Sequence, residues 1–340
     1  MSPLKRVRST SPGITRRRHG RGFRYVHPNG QAVRDDATLT RIRSLAIPPA
    51  WEDVWIAPIE EAHLQAVGVD AAGRKQYLYH EAWRARRDRQ KFDRVLRLAH
   101  RLPAMRRVCD RDIRARGLTR ERALAGALRL LDLGFFRVGS EAYTEENGSF
   151  GLATLRRSHA KVSGNEVRFD FAAKGGQRRI QAIEDPELAK LTKALLARRG
   201  GGNELLGYRE GKTWRDIRSE DINAYLKQLA QEEVSAKDFR TWHATVLTAA
   251  LLAAEERELT SVTSRKRVVT GVVKDVAEAL GNTPAVCRAS YIDPRIVDRF
   301  LDGETIALPR GRDLSDDRVR ASVESAVLDL LDPQERRTAA

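Results

Sequence analysis

Cysteine is scarce in this chain: two residues, Cys109 and Cys287, among 340. That is too few for a disulfide framework or a cysteine-rich zinc site, so a reducing, cytoplasmic setting is expected. No apolar run approaches the roughly eighteen residues that a membrane-crossing helix needs. The first residues, MSPLKRVRSTSPGITRRRHGRGFRY, are basic and carry none of the apolar stretch of a secretory signal. Residues 1–19 are therefore expected to be a basic flexible arm. The seven histidines are scattered, and no pair has metal-ligand spacing. Internal repeats and low-complexity blocks are also missing.

Two chemistries lack their parts as well. LGYREGKTW contains Gly-Lys-Thr, but a phosphate loop needs a glycine where Leu206 stands, and Gly207 comes one residue late. A metal-dependent nuclease needs converging carboxylates. The acids of EENGS and RSEDIN instead sit beside turn and cap residues, which account for them as helix starts.

What is present in excess is positive charge. A formal net charge of +16 points to a polyanion, and nucleic acid is the commonest. A membrane surface fits less well, because no basic stretch is backed by a continuous apolar face. Arginine outnumbers lysine, which suits two-point phosphate contacts.

Patterning divides the chain. From residue 20 to about 80 it reads as short strands: FRYVHPNGQAV as a hairpin turning at PNG, then VWIAP and KQYLYH. DATLTRIRSLAI is a short helix that Asp36 could cap. EAWRARRDRQKFDRVLRLAHRL follows as a basic helix whose first half suits an exposed connection. TRERALAGALRLLDLGFF is amphipathic, capped by Thr119 and ended by Gly134. TLRRSHAKV, EVRFDFAAK and QRRIQAI alternate as a three-stranded sheet with Lys174 at a hairpin tip. Beyond it INAYLKQLA and the long AKDFRTWHATVLTAALLAAEE are helical. The fold class expected is α+β: a small β-rich domain over residues 20–90 and a larger, mainly α domain over 91–340 with an inserted sheet.

A phosphodiester can be broken without a metal if a side-chain nucleophile is surrounded by cations. A tyrosine hydroxyl, with a free pKa of about 10, becomes competent when cations stabilise phenolate character and the pentacoordinate transition state. Such a site needs two arginines on the non-bridging oxygens, an acid for the leaving 5′ oxygen and one more donor. Context singles out Arg137, after an apolar helix end, and Arg240, opening the longest apolar helix, where an unpaired cation is costly. Lys174 stands on a glycine-flanked tip. Each has a plain structural alternative, an ion pair for the arginines and a turn residue for the lysine.

Taken in order, these segments resemble the type IB DNA topoisomerases, in their small poxvirus-like and bacterial form. RVGSEAYTEENGSFGLATLRRSH is similar to the segment of the first catalytic arginine, matching Arg137, with Tyr143 near the scissile phosphate. FAAKGG matches the lysine segment at Lys174, and AKDFRTWHAT the second arginine segment at Arg240, with Lys237 three residues before it. LGNTPAVCRASYIDP matches the nucleophile segment, giving Tyr291. GRKQYLYH resembles the strand that touches the DNA major groove, through Gln76, Tyr77 and Tyr79. Many members carry histidine where this chain has Asn282, and asparagine can donate a hydrogen bond but cannot act as an acid.

The resemblance implies a monomeric clamp around double-stranded DNA, associated with the nucleoid. It also implies relaxation of supercoils of either sign through a DNA 3′-phosphotyrosyl bond, with no ATP and no obligatory metal. A tyrosine recombinase is the nearest rival, but it usually has a helical N-terminal domain and histidine at the position of Lys237. A basic DNA-packaging protein is the non-enzymatic rival, and the charge alone fits it.

Overall fold

The computed structural model describes residues 3–255, 261–309, 314 and 316–332. By its packing the chain divides into two units, Met1–Lys91 and Phe92–Ala340.

The first unit is an antiparallel five-stranded sheet in the order β2-β1-β3-β4-β5. Its strands are β1 (Ile14–His19), β2 (Gly22–Val26), β3 (Glu52–Ile56), β4 (Leu64–Val69) and β5 (Lys75–Tyr79). Helix α1 (Asp36–Ser44) packs Ile42 and Leu39 into the core of Ile14, Val54, Ile56 and Ala66. Two expectations are corrected here. Residues 14–19 are a paired strand and not part of a flexible arm, because Ile14 is buried in that core and β1 hydrogen-bonds on both sides, to β2 and β3. The α1 cap is Asp35, whose Oδ1 accepts from Thr38 N at 2.8 Å, so Asp36 is already inside the helix. The PNG turn forms, with Gly30 at φ +84°, yet it joins β2 only to a single bridge at Ala32. The main partner of β2 is β1.

Helix α2 (Glu81–Ile113) is exposed along its first turns, and the division between the units falls inside it. In the second unit α3 (Arg120–Leu133) starts at Thr119, which accepts from Arg122 N, and α4 (Glu141–Asn147) is short and exposed. The inserted sheet follows, β6 (Ala160–Ser163), β7 (Glu166–Ala172) and β8 (Arg178–Glu184), in that order. Its first strand is shorter than expected. Arg157 N bonds to Asn203 O and Leu205 N to Leu155 O, and these bonds draw TLRRSH into tight turns off the sheet.

After α5 (Pro186–Ala197), the Gly-Lys-Thr stretch forms an ordinary hairpin of β9 (Gly207–Glu210) and β10 (Thr213–Asp216), with Gly211 at φ +59° in the turn. Asp221, one of the acids of RSEDIN, caps α6 (Ser219–Ala230) by accepting from Arg218 N.

Helix α7 (Ala236–Ala253) lies at the centre of this unit. Phe239 and Trp242 on it are fully buried, and α3, α6, α8 (Val262–Leu280), α10 (Pro294–Leu301) and α11 (Asp317–Leu331) all pack on it. The short α9 (Pro284–Ser290) packs against α8. Burial on every side explains why α7 reads as an almost unbroken apolar run, and why its threonines bond back to its own carbonyls.

Candidate active site

Four separate stretches of the second unit deliver the predicted residues to one place. Arg137 follows α3 on an extended segment fixed through its backbone: Leu152 N donates to Arg137 O and Ala153 N to Val138 O, both at 2.8 Å. This pairing requires Gly139 and Gly151 to touch. A Cβ on Gly151 would lie 2.5 Å from the Gly139 Cα, which no larger residue could relieve without moving Arg137.

Lys174 opens the β7–β8 turn, where Gly175 and Gly176 both have positive φ. It is exposed, and its Nζ stands 5.8 Å from the centroid of the Tyr143 ring. Arg137 and Lys174 share a cavity of about 400 Å³.

Arg240 is one turn into α7. The start of that helix is held by Asp238, which accepts from Ser235 N at 2.8 Å and pairs with Arg94 on α2. The Arg240 side chain is only 2% exposed. It donates to the carbonyls of Phe135 and Leu280, the latter at 2.8 Å.

The stretch after α8 supplies the rest. Gly281 ends α8 at φ +61°, and Asn282 N donates to Ala277 O. Arg137 Nη2 donates to Gly281 O at 2.9 Å and to Asn282 Oδ1 at 2.5 Å. A guanidinium has no acceptor, so the oxygen of the Asn282 amide must face Arg137. Its Nδ2 is then left as a donor, and that nitrogen is buried with no partner among the described residues, as is Arg240 Nε. Thr283 caps α9, and Tyr291 ends it. The Thr245 hydroxyl on α7, which donates to Thr241 O at 2.8 Å, accepts from Asp293 N at 3.2 Å, and this ties the end of α9 to α7. The Tyr291 ring has the Arg240 guanidinium 5.2 Å and Lys237 Nζ 5.8 Å from its centroid.

Electrostatically the cluster is one-sided. No ion pair joins Arg137, Lys174, Lys237 or Arg240 to a carboxylate among the described residues. Burial, and then the charge of Arg137, push the Arg240 pKa down to about 10 against the upward pull of Tyr291. Cys287 nearby is buried and its thiol is raised to about 11 by desolvation, so it is inert packing.

Arg137, Arg240, Asn282, Tyr291 and Lys237 thus come together, with Lys174 and Tyr143 beside the shared cavity. In the first unit, Tyr77 and Tyr79 are exposed on one face of β5 with their rings stacked at 6.3 Å. Gln76 takes the alternate register position, and its amide donates to Asp70 Oδ2 at 2.9 Å. Sequence reasoning missed the parts contributed by backbone, the carbonyls of Phe135, Leu280 and Gly281, which side-chain patterns do not reveal. A larger cavity of about 560 Å³, bordered by Asp132, His243 and Arg320, includes none of the predicted residues.

Residues 80–300 match the family model for the catalytic core of eukaryotic DNA topoisomerase I, and residues 22–70 match that for the N-terminal domain of bacterial DNA topoisomerase IB. The chain is 30% identical over 293 residues to DNA topoisomerase 1B of Acanthamoeba polyphaga mimivirus, covering 82% of this chain and 85% of that protein. It is 24% identical over 258 residues to DNA topoisomerase 1B of Vaccinia virus, covering 74% and 76%. It is also 27% identical over 175 residues to DNA topoisomerase 1 of Schizosaccharomyces pombe, where the match covers 51% of this chain and 20% of that protein.

Proposed function

The chain belongs to the type IB DNA topoisomerases, in their small form, and from that premise we propose how its residues relax DNA. The enzyme opens one strand transiently and reseals it. Tyr291 Oη attacks the phosphorus, forming a P–Oη bond as the P–O5′ bond breaks. The phenolic proton leaves to solvent, and Lys174 gives a proton to the departing 5′ oxygen. Arg137, Arg240 and the Asn282 amide hold the non-bridging oxygens as charge builds on them. Asn282 acts as a donor only, so the acid has to be another group, and Lys174 on its glycine-flanked tip fits that role. The DNA 3′-phosphotyrosyl bond conserves the bond energy, so reversal reseals the strand without ATP, and the side-chain cations make a metal non-obligatory. The two units clamp duplex DNA as a monomer, with Tyr77 and Tyr79 of β5 on the major groove, in the cytoplasm at the nucleoid. The recombinase and packaging readings are not favoured.

One observation carries this reading. Two buried donors, Asn282 Nδ2 and Arg240 Nε, have no hydrogen-bond partner among the described residues, inside a cluster of cations that pairs with no carboxylate among those residues, next to the ring of a tyrosine. Buried orphan donors are costly, and phosphate oxygens would satisfy both donors and charge. The test is plasmid relaxation in EDTA without ATP, on positively and negatively supercoiled DNA, with detergent trapping of protein–DNA adducts. Wild type should relax both signs. Tyr291→Phe should bind DNA as wild type does, while relaxation and adduct fall to background. Adducts persisting in Tyr291→Phe would remove Tyr291 as the nucleophile.

A further inference from the structure

Arg178 and Arg179 are neighbours in β8, and the alternation of the strand sends them to different surroundings. Arg178 is exposed and grips Asp170 with two hydrogen bonds, at 2.8 and 2.6 Å. That carboxylate raises its pKa. Arg179 is half-buried and meets no such partner. Its Nε donates to Gln181 Oε1 and its Nη2 to Ala279 O, each at 3.2 Å, while no hydrogen bond of Nη1 is seen among the described residues. Glu278 borders the same cavity, yet no ion pair links Arg179 to a carboxylate among the described residues. Burial, and then the charge of Arg137, press its pKa down. A Cβ on Gly281 would stand 3.1 Å from Arg179 Nη1, so the bare backbone of Gly281 lets this guanidinium lie close without shifting.

A pattern emerges at the end of α8. Three successive carbonyls each accept from a different arginine: Ala279 from Arg179, Leu280 from Arg240 and Gly281 from Arg137. Two of these arginines are the phosphate-holding pair of the proposed reaction. The third shares their anchor, their lack of a counter-charge and the cavity of Arg137 and Lys174. A half-buried guanidinium beside another cation calls for an anion, and the partner this site takes is a polyanion.

We propose that Arg179 is a third phosphate-binding arginine of this site, holding a backbone phosphate of the cleaved strand at or next to the one held by Arg137 and Arg240. This inference rests on the DNA-cleaving reading of the same site. The role is that of a substrate contact, so it makes a demand that a merely structural brace would not.

The test compares wild type, Arg179→Ala and Arg179→Lys on one duplex oligonucleotide. Two quantities are followed: the single-turnover rate of covalent adduct formation, and the affinity as a function of salt. Losing a phosphate contact should slow adduct formation at least about tenfold. It should also make the slope of log affinity against log salt shallower by about 0.9. Arg179→Lys should keep the wild-type slope and recover part of the rate. A slower Arg179→Ala with an unchanged slope would mean that the residue only braces the end of α8, and would overturn the proposal; so would no change in either quantity. If the alanine variant does not fold, Arg179→Met keeps the packing and reads the same slope. A wild type that forms no adduct would sink the cleavage reading alone, because the salt slopes would still report on the Arg179 contact.

Discussion

Helix α7 borders two ionic clusters that are built on opposite terms. On one side Arg106 is held between Asp132, at 2.9 and 2.8 Å, and Glu324, at 2.6 and 2.8 Å. Trp242 donates to Glu324, Arg320 lies 3.7 Å from Asp132, and His243 lies 3.9 Å from it. Burial works against the charge of Arg106, but its two carboxylates overcome that and raise its pKa. On the other side, the more deeply buried Arg240 has backbone carbonyls in place of carboxylates, and its pKa falls. The same residue type, from α2 on one side of α7 and from α7 itself on the other, therefore stands in two different settings. The cation matched by carboxylates is accounted for by the fold, and the one held only by carbonyls is the one to which the proposed reaction brings a charge from outside.

The sharpest way to break this comparison is to remove Arg106. Arg106→Leu strands two buried carboxylates and should cost about 3–5 kcal/mol of stability by denaturant titration, while adduct formation per folded molecule stays unchanged. A pH arm belongs to the same experiment. Burial disfavours the Asp132 carboxylate, but His243 and the charge and hydrogen bonds of Arg106 overcome it, so its folded pKa lies below the ordinary value. Its contribution is then fully present above about pH 4 and lost as the pH falls below that. Acid melts of Asp132→Asn should be flatter in that range than those of wild type; equal slopes would argue against the network as the acid-labile element.

Arg240→Met should reverse the pattern. Adduct formation should drop by about 10³-fold, with melting changed by no more than about 1 kcal/mol, because an uncompensated charge is removed together with two hydrogen bonds. A large loss of stability would show that Arg240 belongs with Arg106 after all. Asn282→Ala should give the smallest effect, about 10²-fold on adduct formation. Asn282→His, which keeps a donor, should restore most of that rate, and a failed rescue would make Asn282 a mere helix-end residue.

The unmatched cluster was more legible in the sequence than the matched one. Arg137, Lys174, Arg240 and Tyr291 lie in short motifs whose order carries the family resemblance, and the asparagine at 282 is visible as a departure from it. The network of Arg106, Asp132 and Glu324 spans 218 residues with no motif, and any of its members reads as one more charged residue on a helix. Arg179 was hidden for a similar reason, since the pair Arg178–Arg179 looks symmetrical until the strand separates their faces. Strand β4 escaped notice because LQAVGV is nearly all buried and shows no alternation. Helix α8 is rich in valine and contains Gly271, which blurs a helical pattern that packing alone decides.

The carbonyls at the end of α8 belong to the main chain, so substituting the side chains of Ala279 or Leu280 leaves their oxygens where they are. What fixes their direction is the length of the helix, counted from its start at Ser261. One residue added within α8 would turn its far end by about 100°. That change deletes no named group of the site, yet it would re-aim three guanidiniums at once, so α8 serves as a gauge whose residue count sets the spacing of the charges.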